Sequence, residues 1–254
     1  MTKLKKAIAS NTAKSGYVAV MRSLAWGSDR LGFSDWLARR HHRNRGYHWA
    51  SSLMAIHNID GLVALDVPWW TYSAIERIDN FLKTRPARVF EYGSGASTIW
   101  AAKRAASVIS VEHDVGWHAL VSERVSAHSE LCPVDLRCVE SEDVGVLPFF
   151  DPIYLSKKSS ENGLYFESYA SEIENSGGPF DLIVIDGRAR PACLKHAVSH
   201  LASGGMIVFD NSHRARYREA LIESGLSIHR FPGLAPSLPY PEETSILTAP
   251  NSTP

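Results

Sequence analysis

Four acidic residues close four apolar runs in this sequence. Glu91 follows Arg88-Val89-Phe90, Glu112 follows Val108-Ile109-Ser110-Val111, Asp186 follows Phe180-Asp181-Leu182-Ile183-Val184-Ile185, and Asp210 follows Met206-Ile207-Val208-Phe209. In an open α/β sheet ligands bind outside the carboxyl ends of the strands. Four carboxylates there suit a ligand with a cationic part. A phosphate site would instead offer backbone amides with Lys or Arg, and the chain lacks GxxxxGK[ST]. The first acid opens Glu91-Tyr92-Gly93-Ser94-Gly95-Ala96-Ser97-Thr98, where the glycines let the backbone turn sharply and approach a ligand closely. Glu112 stands 21 residues beyond Glu91, where an acid holds ribose hydroxyls. A lone Gly-x-Gly is often only a tight turn. Joined to Glu112, Asp186-Gly187 and Gly204-Gly205, it specifies a nucleoside-type cofactor site. A nicotinamide dinucleotide would need GxGxxG, and Thr98 occupies the last Gly position.

Two further loops carry reactive side chains, Asp186-Gly187-Arg188-Ala189-Arg190 and Asp210-Asn211-Ser212-His213-Arg214. An imidazole titrates near neutrality, so His213 is a candidate general base; the plain alternative is a solvated loop histidine. Arg188 and Arg190 either hold an anionic group on a substrate, since guanidinium forks match carboxylate and phosphate, or pair with nearby acids. His41, His42, His48 and His57 show no HxxxH or HExxH spacing for zinc.

The elements that must position these residues are legible as short apolar runs alternating with helical stretches. Strands are expected at Arg88–Glu91, Val108–Glu112, Asp135–Val139, Phe180–Asp186 and Met206–Phe209. Helices are expected from Pro68 through Leu82, from Ser97 to Ala106, through Trp117, Leu120, Val121 and Val125, and through Leu194, Ala197, Val198 and Leu201. The Leu182-Ile183-Val184-Ile185 run suits a strand buried on both faces. Alternating strands and helices mean a doubly wound, mostly parallel sheet. Leu226–Phe231 and Thr244–Thr248 have only the Gly/Pro-rich stretch 232–241 between them. That leaves no room for a crossover helix, so they should pair antiparallel. Tyr154, Tyr165, Phe166 and Tyr169 either face a substrate or pack in the core.

The chain has 254 residues with 27 basic and 27 acidic side chains, 44% hydrophobic and 21% charged. These values are globular and exclude a disordered or disulfide-rich chain. The neutral total hides an asymmetry. Residues 1–50 hold ten Lys/Arg against Asp29 and Asp35, a surplus of +8, and residues 51–254 carry −8. The division expected is a basic helical arm or lid, 1–67, before a cofactor domain, 68–254. The arm is either solvated or grips an anionic partner such as nucleic acid. No apolar run reaches the roughly 18 residues of a membrane span, and no continuous apolar stretch near the N-terminus reads as a secretory signal. Cys132, Cys138 and Cys193 form no CxxC pair, so a reduced, cytoplasmic chain is expected.

The strings VFEYGSGAST, SVEHD, FDLIVIDG and LASGGMIVFDN, over roughly residues 68–248, resemble the class I S-adenosylmethionine-dependent methyltransferases. The resemblance implies a Rossmann-like α/β fold of seven strands, the last inserted antiparallel beside strand six. It implies that Glu91, Tyr92, Gly93, Ser94 and Gly95 form the cofactor loop beside the methionine moiety. Glu112 would bind the ribose hydroxyls with His113 beside it, and Glu140, Glu142 or Asp143 would flank the adenine. Trp117 would cover that base or pack in the core, and Asp186 would close the methionine side. Glu91 in place of the commoner Asp, and Ser97 in place of a third glycine, are departures. Asp186, Asp210 and Asn211 resemble the oxygen-ligand triad of the cation-dependent O-methyltransferases, which implies Mg²⁺; the alternative is that Asp210-Asn211 caps its loop. The activity implied is methyl transfer, with a hydroxyl oxygen of a small molecule or glycan as the first choice of acceptor and Asp186 or His213 assisting. RNA gripped by the basic arm, or a non-catalytic binding module of the same fold, are the alternatives. Neither an NPPY/DPPY tetrapeptide nor a suitably placed PC dipeptide is present.

Overall fold

Alternation within the apolar runs decides which face of the sheet each residue serves, because successive side chains of a strand point to opposite sides. Val89, Leu182, Val184, Met206, Val208 and Ile246 join one buried cluster. Phe90, Tyr92, Ile183, Ile185, Ile207, Phe209 and Leu247 join the other. A sheet apolar on both faces must be covered on both. The computed structural model, which describes residues 45–54, 59–146, 149–156 and 161–250, shows that cover as two layers of helices.

The strands are β1 (Arg88–Tyr92), β2 (Ser107–Glu112), β3 (Val134–Cys138), β4 (Glu142–Asp143), β5 (Leu164–Tyr165), β6 (Phe180–Ile185), β7 (Leu201–Asp210), β8 (Ser227–Leu234) and β9 (Pro241–Thr248). The helices are α1 (Arg45–Met54), α2 (Ile59–Ala64), α3 (Tyr72–Leu82), α4 (Ala96–Ala102), α5 (Val115–Ser126), α6 (Glu167–Ser171), α7 (Arg190–Ala197) and α8 (Arg218–Glu223). Seven strands form one sheet in the order β3-β2-β1-β6-β7-β9-β8. All pairs from β3 to β7 are parallel. β9 runs antiparallel between β7 and β8, as the short connection requires. Helices α2 to α5 feed the first cluster and α6 to α8 the second. β4 and β5 form a separate two-stranded ribbon that no sequence pattern announced.

Three local expectations are corrected. Pro68-Trp69-Trp70 does not start a helix; α3 begins at Tyr72. Thr71 holds the backbone extended there, its N–H donating to Thr244 Oγ1 (3.1 Å) and its hydroxyl to the Phe231 carbonyl (2.9 Å). Trp70 is thereby turned into the core, edge-on to Trp100 at 5.7 Å. Helix α4 stops at Ala102, short of Ala106, because the Ala106 N–H is already drawn to the Ala87 carbonyl (2.8 Å) at the start of β2. Leu201, expected at a helix end, begins β7, which absorbs Gly204-Gly205 through a shift of register against β6.

Of the expected arm, residues 1–44 lie outside the described residues. The part described is packed on the body. Ile59 and Leu62 enter the first cluster, Trp49 donates to the Leu238 carbonyl (2.9 Å), and Ser52 accepts two hydrogen bonds from Ser237, at its hydroxyl and its carbonyl.

Candidate functional site

A cleft of about 590 Å³ opens over the carboxyl ends of β1, β2 and β6. Its size lies within the usual range for a small-molecule site. One side is the Gly93-Ser94-Gly95 loop, the next Glu112-His113-Asp114 with Trp117, and the third Asp186 to Arg190 with Asn211 and Arg214. The cleft therefore collects three of the four strand-end acids or their neighbours.

Glu112 is the centre of the second wall. One of its oxygens accepts from the N–H (3.2 Å) and hydroxyl (3.0 Å) of Ser94, and the other from the N–H groups of His113 (2.8 Å) and Asp114 (3.0 Å). His113 Nδ1 stands 2.7 Å from the same carboxylate. Burial pushes the Glu112 carboxyl up, but these hydrogen bonds outweigh it and hold the group below its ordinary value. An ionised acid thus faces the cleft, the form that accepts from hydroxyl donors. Asp114 caps α5 by accepting from the Trp117 N–H (2.8 Å), and the Trp117 indole donates to the Ser94 carbonyl (2.8 Å). The ends of β1 and β2 are locked together by these contacts.

Glu91 and Tyr92 do not line the cleft. Glu91 lies on the same face of β1 as Val89, inside the sheet–helix interface, and is 1% exposed. Three hydroxyls meet it: Ser97 and Thr98 at 2.5 Å each and Ser110 at 2.6 Å. Burial still pushes its pKa up to about 7. Thr98 also accepts from the Gly95 N–H (2.9 Å), so Glu91 acts on the loop through α4 as a positioning residue. This explains Ser97 where a third glycine was expected, since its hydroxyl is needed by the buried acid. Tyr92 is buried on the opposite face and donates to the Ala170 carbonyl (2.7 Å).

Gly93 adopts φ +92°, a conformation that favours glycine, and packs its Cα against Gly187. A Cβ on Gly93 would stand 2.7 Å from the Gly187 Cα, and a Cβ on Gly187 only 1.9 Å from the Tyr169 hydroxyl oxygen. Gly187→Ala should therefore destabilise the fold by at least about 2 kcal/mol in a denaturant titration. Tyr169→Phe in the same chain should recover part of that loss, because it removes the atom struck first. Purely additive effects would show the contact to be unimportant.

Arg190 closes the third wall. Its guanidinium bonds the Asp186 carboxylate (2.6 Å), the Asp186 carbonyl (2.8 Å) and the Asp210 carbonyl, with the Asp210 carboxylate 3.7 Å away. The left-handed residues Ala189 (φ 42°) and Asn211 (φ 53°) turn the two loops toward each other. Burial raises both carboxyls, and Asp210, the more enclosed, reaches about 8 with the Asp186 charge adding to the rise. These residues do not fit the divalent ion that the resemblance implied. A guanidinium already fills the space between the two carboxyls, and Asp210 also accepts from the Thr244 hydroxyl (2.9 Å). Asn211 donates instead to Glu242 (3.3 Å). Among the described residues no group of three or more His, Cys, Asp or Glu could hold a metal.

Of the remaining candidates only Arg188 lines the cleft. His213 is nearly half exposed and stands 3.3 Å from Glu242. Glu142 lies in the β4–β5 ribbon and accepts from the Ser168 hydroxyl (2.7 Å), while Asp143 accepts from the Gly145 N–H (2.8 Å). Glu140 is likewise not among the lining residues. Tyr154, Tyr165, Phe166 and Tyr169 pack in the second core cluster. Arg188 is drawn to Glu161 (2.8 Å). Sequence reasoning missed Glu161, which sits in a stretch with no periodic pattern. It also passed over Arg214, which stood in plain view beside His213 in the loop after β7.

The strand order, with its last strand reversed between two others, is a Rossmann-like arrangement of the kind that the resemblance to the class I S-adenosylmethionine-dependent methyltransferases implied. No protein-family model matches the sequence, and comparison with curated proteins found no match. Solved structures similar to this chain include a methyltransferase-like protein from Silicibacter pomeroyi, 20% identical over 72% of this chain and 88% of that one, with a TM-score of 0.47. They also include an rRNA methylase from Streptococcus thermophilus (10% identical, 69% and 96% covered, TM-score 0.45) and a methyltransferase from Pyrococcus furiosus (18% identical, 68% and 81% covered, TM-score 0.41). At such identities the likeness concerns the fold alone. Among the described residues no helix is long and apolar enough to cross a membrane.

Proposed function

We propose that this chain is an S-adenosylmethionine-dependent methyltransferase whose acceptor is a hydroxyl oxygen of a small molecule or glycan. The observation that carries the reading is the Glu112 carboxylate at the end of β2, held by backbone donors and lining a cleft beside the Gly93–Gly95 loop. Glu112 would hold the ribose hydroxyls, Trp117 would cover the base, and the Gly93–Gly187 contact would leave room for the amino-acid end. When bound, the cofactor supplies a methyl group on a cationic sulfur. The protein's share is then to align the acceptor oxygen and shield it from water. Asp186 is the carboxylate in the wall that would take up the hydroxyl proton, with Arg190 fixing its direction; its raised pKa suits that exchange.

The test is calorimetry with S-adenosylhomocysteine, followed by a methyl-transfer screen over hydroxylated small molecules, sugars and RNA. Binding with one site per chain is expected, and transfer unaffected by EDTA. Absence of binding sinks the enzyme reading in favour of a binding module. Loss of transfer with EDTA, restored by Mg²⁺, would reinstate the metal. Transfer to RNA with a steep salt dependence would move the acceptor to a ribose hydroxyl gripped by the basic arm.

A further inference from the structure

A second, smaller pocket of about 90 Å³ opens beside the cleft, and Gly187, Arg188, Arg190 and Arg214 belong to both walls. It differs from the cleft in holding no carboxylate, whereas the cleft sets four carboxylates against the three arginines Arg188, Arg190 and Arg214. Glu112, Asp114, Glu161 and Asp186 line the cleft, whereas four arginines and no carboxylate line the side pocket, with Arg216 as the fourth. Two of these cations are already neutralised, Arg190 by Asp186 and Asp210 and Arg188 by Glu161. The other two form no ion pair with a described residue, although Asp186 feels the Arg214 charge. Arg216 donates to the Tyr217 hydroxyl (2.9 Å) and lies over its ring at 4.8 Å. Arg214 makes no side-chain hydrogen bond or ion pair with a described residue. It is half-buried and stands on the edge between the two cavities. A partly desolvated cation with no carboxylate in direct contact is costly, and a guanidinium is shaped to receive two oxygens of one oxyanion. The volume holds about six water-sized groups at roughly 15 Å³ each. That is the size of a single oxyanion group, not of a whole substrate. Ile153, Leu155 and Pro191 supply its apolar lining.

We propose that the methyl acceptor carries an oxyanion, a carboxylate or a phosphate group, which seats in this side pocket on Arg214 and Arg216. The inference deepens the methyltransferase reading and rests on it for the word acceptor. The acceptor's anion enters the side pocket while its hydroxyl is held over the cleft beside Asp186, whose carboxylate disfavours an anion. The carboxylates that line only the cleft and the carboxylate-free side pocket thus fix which end of the molecule points where.

The experiment titrates the S-adenosylhomocysteine-loaded protein with inorganic phosphate, with benzoate, and with benzamide as the neutral isostere of benzoate. Saturable binding of phosphate or benzoate is expected, and the stronger of the two names the oxyanion; benzamide should bind at least about tenfold more weakly than benzoate. Arg214→Gln should weaken the preferred oxyanion about tenfold, Arg214→Lys less, and Arg216→Gln by a smaller factor, the Arg216 change leaving S-adenosylhomocysteine affinity within about threefold. Failure of both oxyanions to bind, or equal binding by Arg214→Gln, overturns the proposal. So does a loss of S-adenosylhomocysteine affinity in Arg214→Gln with 5′-methylthioadenosine unaffected, which would assign Arg214 to the cofactor's own carboxylate. If the wild type does not bind S-adenosylhomocysteine, the methyltransferase reading falls. The same titrations on the unloaded protein then still decide the pocket.

Discussion

Arg190→Met should cost this protein about 3–5 kcal/mol of stability at pH 9, the usual penalty for stranding buried charge. The methionine roughly fills the space, so packing loss is small and the carboxyls of Asp186 and Asp210 are the issue. In the wild type one guanidinium, only 8% exposed, serves both, and it also holds the carbonyls at the ends of β6 and β7. Without it each carboxyl must be buried either as a bare anion or with its proton. The folded pKa of Asp210 already lies above its unfolded value, at about 8 against 3.8. Between those values the folded state binds more protons than the unfolded one, so its contribution is fully present below pH 4 and is lost as pH rises through 8. Removing Arg190 raises both carboxyls further and moves the loss to higher pH. The variant's deficit in urea titrations should therefore be smallest near pH 5 and largest near pH 9. Asp210→Asn in the wild-type background should flatten the slope between pH 5 and 8. A deficit in Arg190→Met that does not change with pH would mean that Arg190 acts by packing alone.

Glu112→Ala should reduce S-adenosylhomocysteine affinity by about a hundredfold or more, because hydrogen bonds to a charged group are each worth roughly 1.5–3 kcal/mol and two ribose hydroxyls are held. The same change releases Ser94, His113 and Asp114, whose N–H groups converge on this carboxylate. Part of the loss is thus disorder of the loop. Glu112→Gln separates the two effects, since the amide keeps an acceptor for some of these donors while losing the charge. It should retain the wild-type circular dichroism and unfolding midpoint more closely than Glu112→Ala, yet still bind the nucleoside at least about tenfold more weakly. Unaltered affinity in Glu112→Gln would remove the acid from the cofactor site and with it the main support for the proposed activity.

The strand-end acids were legible because a parallel sheet writes itself as apolar runs, and whatever closes such a run lies at the ligand-binding edge. Glu112 and Asp186 line the cleft as that rule expects. The rule gave Glu91 the same standing, yet its side chain points along the face of Val89 into α4. A strand's last residue lies at the edge or under a helix according to a parity that one register step reverses. The terminal antiparallel pair was legible from connection length, although its shared edge with β7 was not. His213 and Arg214 are one position apart in one loop, and nothing in their order told which would face the cavity. The structure gives that place to Arg214, while His213 stands beside Glu242.

The sequence by itself determined the alternating architecture, the glycine loop and the acid after the second strand, because these are local: period, turn chemistry and spacing along one chain. Tertiary structure alone decided the partners. Arg190 meets Asp210 across 20 positions, Arg188 meets Glu161 across 27, and Glu91 finds the Ser110 hydroxyl across 19. The strength and even the protonation of a charge depend on what burial brings within a few ångströms. Four acids read alike along the chain therefore became four different groups. Glu112 is held below its ordinary value by the His113 ring and backbone donors, Glu91 is buried among hydroxyls, and Asp186 and Asp210 share one arginine.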